Sequence, residues 1–214
     1  MHVYASDSRD RKIMPWVLAI VAVLITYGFS ALVVRWKIEV PWWVEAPSIM
    51  SVYGLGHLLY NRLMWRWRLL GRQITGIPDY RGTWFGVQTS SYREGVPLRS
   101  MMYISQTWTE LCVEFVFQKS RSYSLMAVVN VTPGVTEGLT FEYSNAPRPD
   151  AEETMHAHIG LSHFRLAPDG KSMEGDYFSG RDRQTIGHMK LLYLGAAQMA
   201  YEEAEARYAK IASA

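Results

Sequence analysis

From Ile13 to Val34 the chain reads IMPWVLAIVAVLITYGFSALVV without one charged side chain. At about 1.5 Å of rise per residue such a run covers a hydrocarbon core roughly 30 Å thick. It ends in Val33, Val34, Arg35 and Trp36, a basic and aromatic anchor without the small residues of a signal-peptide cleavage site. The pattern therefore predicts a transmembrane helix over 13–36, after a polar tail over 1–12. A second apolar region, 42–65, is interrupted by Glu45, Pro47, His57 and Asn61, but its ends carry Trp42, Trp43 and Trp65. The two regions together predict a helical hairpin with two spans.

Gly76, Pro78 and Asp79 then interrupt any helix, and from Tyr80 the apolar period falls from about 3.6 residues to 2. Strands are expected over 81–92, 98–107, 110–119, 122–131, 139–144, 155–166, 171–179 and 184–193. Turn chemistry separates several of them, at Thr132-Pro133-Gly134 and Pro168-Asp169-Gly170 for example. Eight hairpin-linked strands in an open sheet would leave two bare edges, and closure removes both. The expected fold class is thus a membrane-anchored all-β protein. Its parts are two N-terminal transmembrane helices, a basic neck over 66–79, an eight-stranded antiparallel up-and-down (lipocalin-like) β-barrel over 80–193, and a C-terminal helix over 194–214. That last helix could cap the barrel, pack on another protomer, or fray.

Charge decides the orientation. The formal net charge of +2 is too small for binding DNA or RNA through bulk electrostatics. Arg11 and Lys12 precede the first span, and Arg62, Arg66, Arg68 and Arg72 follow the second. Basic flanks stay on the cytoplasmic side, so for a multi-pass protein in contact with membrane lipids the barrel and both termini are expected in the cytoplasm. The single cysteine, Cys112, rules out an internal disulfide framework and alternates within LCVEFVFQ as an ordinary strand residue.

Alternation also nominates an interior. Leu111, Val113, Phe115 and Phe117 share one face, as do Leu139, Phe141 and Tyr143. In the first barrel strand Gly82, Trp84 and Gly86 share a face, where an indole between two glycines suits a barrel floor. The ligand-binding residues expected from this parity are Trp84, Tyr103, Tyr143 and Tyr177, rings able to stack on a nucleobase. Arg181 and Arg183, in the last hairpin, suit phosphate contacts. The alternative is a barrel filled by its own side chains, with a tyrosine girdle and a solvated turn. His156 and His158 share a strand face, but no third metal ligand is identifiable, and no nucleophile elbow, paired carboxylates, P-loop or dinucleotide fingerprint occurs. No metal, no cofactor and no enzymatic activity are expected.

The order of parts, with Gly82, Trp84 and Gly86 opening the barrel and the run Glu174-Gly175-Asp176-Tyr177-Phe178-Ser179-Gly180-Arg181 followed by Gly187 and Met189 to Leu191, resembles the two-transmembrane, β-strand-rich effectors of bacterial CBASS antiphage systems. That resemblance implies a barrel that binds a cyclic oligonucleotide messenger, ligand-induced homo-oligomerisation, and disruption of the inner membrane that ends in abortive infection. Lipocalin-like barrels also begin with a glycine and tryptophan pair, so a membrane-tethered lipid or small-molecule binder is the alternative.

Overall fold

Eight strands joined in sequence by short turns leave two bare edges unless the first meets the last, and here they meet. The computed structural model describes residues 1–37, 39, 48–69, 72–73, 75–91, 96–117, 120–147, 157–180 and 184–213. In chain order the elements are β1 (His2–Val3), β2 (Ala5–Ser6), α1 (Asp10–Arg35), α2 (Ile49–Arg62), a 3-10 turn (Met64–Arg66), β3 (Arg68–Leu69) and β4 (Arg72–Gln73). The barrel strands follow as β5 (Gly82–Ser90), β6 (Leu98–Gln106), β7 (Glu110–Val116), β8 (Ser120–Asn130), β9 (Gly138–Pro147), β10 (His158–Leu166), β11 (Ser172–Ser179) and β12 (Ile186–Gly195), and α3 (Tyr201–Ala212) ends the chain. Each barrel strand pairs antiparallel with the next, and β12 returns to β5, so the expected closed eight-stranded meander is present.

The chain divides into two units, Met1–Asp7 with Pro78–Ala214, and Ser8–Ile77. The first seven residues, expected as a polar tail, are part of the barrel. The β7–β8 seam is paired over only Glu114–Tyr123, Phe115–Ser122 and Val116–Arg121, whereas β8 and β9 stay in register from Ser120 to Asn130. Below that short seam the two strands part, and the N-terminal segment fills the gap, β1 antiparallel to β7 and β2 parallel to β8. Tyr4 is buried and donates its hydroxyl to the Trp108 carbonyl at 2.9 Å, and the Asp7 carboxylate accepts the amides of Val131 and Thr132 at 2.7 and 3.1 Å. This strap satisfies backbone groups that would otherwise lie bare on the wall.

The barrel core occupies its lower end, where β5, β7, β9 and β11 begin. Trp84, Ile104, Leu111, Leu139, Phe164 and Leu191 are almost wholly buried there. The Trp84 indole donates to the Tyr80 carbonyl at 2.8 Å and stands edge-on to Tyr193, with ring centroids 5.1 Å apart. Phe141 stacks on Phe164 at 6.0 Å, with Phe115 alongside. Gly170, at φ 67°, supplies the left-handed residue of the tight β10–β11 turn. Helix α3 lies on the outer wall, where Phe85, Met101, Leu194, Met199 and Ala204 form a second apolar cluster with Tyr201 and Tyr208.

In the other unit α1 is the one described helix long and apolar enough to cross a membrane, and Ala22 is its only buried residue. Trp16, Leu24 and Ile20 are 74, 64 and 60% exposed, an apolar surface that water does not tolerate but lipid does. The second expected span is shorter than foreseen: α2 has 14 residues, about 21 Å at helical rise. Residues 42–47 of that expected span lie outside the described residues. The helix ends at Arg62, before the expected end at Trp65, and passes into the 3-10 turn and the small β3–β4 ladder.

Candidate functional site

The inward faces of the upper halves of these strands are built from small and polar residues. Ser122 and Ser124 come from β8, Tyr143 and Asn145 from β9, Gly160 and Ser162 from β10, Tyr177 and Ser179 from β11, and Gln88 and Ser90 from β5. Their exposure separates the two ends of the interior: Gln88, Ser90, Tyr143, Asn145, Tyr177 and Ser179 keep 6 to 8%, against 0 to 1% for Leu111, Leu139, Phe164 and Leu191. The residues nearest the upper rim are thus slightly less sealed than the floor, while Ser100, Ser122 and Ser162 are as buried as the floor itself. Among the described residues no Asp, Glu, Lys or Arg is buried, so the described lining of the cup is uncharged.

Two tyrosines are fixed against the cup wall by glycines. A Cβ at Gly160 would fall on the ring of Tyr143, its cross-strand partner, and one at Gly187 would fall on the ring of Tyr177. Tyr177 also accepts a hydrogen bond from Gln88 Nε2 at 2.6 Å. Ser179 and Thr185 hold each other at 2.6 Å, and Ser124 accepts the Val113 amide at 2.9 Å while its hydroxyl meets His2 Nε2 at 2.7 Å. Four buried polar atoms in this half have no partner among the described residues: Gln88 Oε1, Ser100 Oγ, Asn145 Oδ1 and Ser162 Oγ. Orphaned polar atoms inside a wall are costly in a free protein and are what a ligand satisfies.

Of the residues expected from parity, Tyr143 and Tyr177 face the cup, while Trp84 forms its floor. Tyr103 does not join them. On β6 the inward set is Ser100, Met102, Ile104 and Gln106, and Tyr103 stands on the outer face in register with Thr83 and Glu114. Its parity was unreadable because β6 is apolar on both faces: Met102 points into the barrel and Met101 packs in the cluster with α3. Arg181 and Arg183 lie outside the described residues, as does His156. Asn145, Ser162 and the serines of β8 were missed, although the Ser120-x-Ser122-x-Ser124 alternation carries the signal. Among the described residues no three His, Cys, Asp or Glu side chains converge as a metal site. His188 pairs with Asp176 at 2.8 Å on the surface, and an open groove of about 570 Å³ beside the β10–β11 turn and Tyr208 lies on the outer wall.

A closed barrel with a packed floor, a polar upper interior and two aromatic rings against its wall has the lining of a small-ligand site. Residues 75–192, more than half of the chain and the barrel from before β5 into β12, match the family described as Cap15, cyclic dinucleotide receptor domain. The chain belongs to that family. No curated protein matches it.

Proposed function

We propose that this protein is the effector of a bacterial CBASS antiphage system. A cyclic dinucleotide fills the upper half of the barrel, the occupied chains assemble into oligomers, and their helices breach the inner membrane so that the infected cell dies. The observation that carries this reading is the coincidence of the receptor-domain match with a barrel whose upper interior is polar and furnished with orphaned hydrogen-bonding atoms. Tyr143 and Tyr177 are the stacking surfaces, and Arg181 and Arg183, which follow β11 in the sequence, meet the phosphates. The reading is of a sensor, not a catalyst.

The strap supports the two-span topology. Because Met1–Asp7 pairs with β7 and β8, the chain before α1 lies on the same side of the membrane as the barrel. If α1 crosses, residues 36–77 must cross back, and 42–65 is the apolar stretch available. Both junctions leave the barrel at its floor: Asp7 is bound beside Val131, and the Pro78 carbonyl accepts from Gln106. The polar half of the interior lies at the other end of the barrel. An acyl chain, the alternative ligand, would strand the Asn145 and Ser162 polar atoms in hydrocarbon.

The test is dye release from vesicles of bacterial polar lipid carrying the full-length protein. Addition of cyclic di-GMP, cyclic di-AMP or cyclic di-UMP is expected to release dye with at least one of them. Intact vesicles with every cyclic dinucleotide, over a folded protein, would reject the effector reading.

A further inference from the structure

We infer that the messenger enters base first: a nucleobase lies in the cup, its phosphodiesters stay at the rim, and Asn145 and Ser162 select which base is accepted. This inference rests on the cyclic dinucleotide reading and deepens it. The charge of the cup decides the pose. A phosphodiester drawn down among Ser162, Tyr177 and Gln88 would be desolvated with no cation beside it, because no basic residue is buried among the described residues. A neutral base carries no such cost and can lie against either tyrosine ring.

Selection follows from which atoms are free. Ser179, Thr185 and Ser124 already have partners and so add little preference. Asn145 Oδ1 and Ser162 Oγ have none among the described residues, and they stand on neighbouring strands at different depths. Asn145 is opposite Ser122 near the rim, and Ser162 is two residues deeper than Gly160, opposite Tyr177. Asn145 is level with His158, four positions along β10 from Ser162 and so about 13 Å from it along the wall; the pair can meet opposite ends of one flat base, and a base with the wrong donor pattern leaves them buried and unpaired. Ser162 is completely buried, so its hydroxyl has no solvent to turn to.

The same fact yields an unusual expectation. Removing an orphaned hydroxyl takes away a cost in the free protein, so Ser162→Ala should leave its thermal midpoint unchanged or raised. Binding should nevertheless suffer. Dissociation constants of the full-length protein in lipid nanodiscs for cyclic di-GMP, cyclic di-AMP and cyclic di-UMP, for the wild type, Ser162→Ala and Asn145→Ala, test this. For the tightest wild-type ligand each substitution is expected to weaken binding about tenfold and to shrink its advantage over the next ligand. Wild-type preference retained in both folded variants would overturn base selection by these residues and leave the messenger reading standing. Failure of the wild type to bind any of the three would overturn the messenger reading and this inference with it.

Discussion

At the scale of single residues the interior has two kinds of position, and substitution separates them. Trp84 fills the floor, so Trp84→Ala is expected to destabilise the fold by about 3 to 5 kcal/mol, read from denaturant midpoints. Tyr177→Phe leaves the buried Gln88 Nε2 without its partner but keeps the ring over Gly187, and should cost about 1 to 3 kcal/mol. A large loss from Tyr177→Phe would mean that the hydroxyl anchors the wall. Asp7 titrates at this scale too. The Thr132 side chain and the Val131 amide hold its carboxyl below the ordinary value of 3.8. A depressed carboxylate stabilises the folded state above its unfolded value, and that contribution fades as the pH falls through the lower folded value. The acid limb of the unfolding curve should therefore flatten in Asp7→Asn, and an unchanged limb would remove Asp7 as its source.

At the scale of elements, the strap and α3 show what the sequence did and did not make legible. The strands, their order and the closure follow from alternation and turn residues, and Leu111, Val113, Leu139 and Phe141 lie inside as that alternation implies. Alternation failed where both faces of a strand are covered, as on β6, because burial by α3 erases the polar half of the pattern. The strap was illegible for a different reason: two-residue strands such as His2–Val3 are too short to show any period, and their pairing depends on a gap between β7 and β8 that only the closed barrel creates. In the cup, attention to rings concealed the serines and Asn145, which report their role only once the register assembles them. The strap's importance is testable. Tyr4→Ala leaves the Trp108 carbonyl and part of the seam bare, and hydrogen exchange in β7 and β8 is expected to quicken while β10 and β11 stay protected. Uniform exchange across the barrel would contradict a local role.

At the scale of the whole molecule, the chain leaves the barrel unit at its floor on both sides of Ser8–Ile77, and the polar half of the interior is at the barrel's other end. A ligand can alter the helices only by favouring one arrangement of the barrel wall over another. The wall's weakest paired seam, β7–β8, adjoins Ser124, which pairs with Tyr143 on one side and meets His2 of the strap on the other. Arg181 and Arg183 are expected to act from outside this path, through affinity: their double alanine variant should need more messenger for the same response and unfold at the wild-type midpoint. The most direct measurement of the central claim is hydrogen exchange along the full-length chain with and without a saturating cyclic dinucleotide. The account predicts slowed exchange in the upper halves of β8 to β11, around Ser122, Tyr143, Ser162 and Tyr177, with the floor unchanged. Protection confined to the outer wall or to α3, or none with any cyclic dinucleotide, would contradict it.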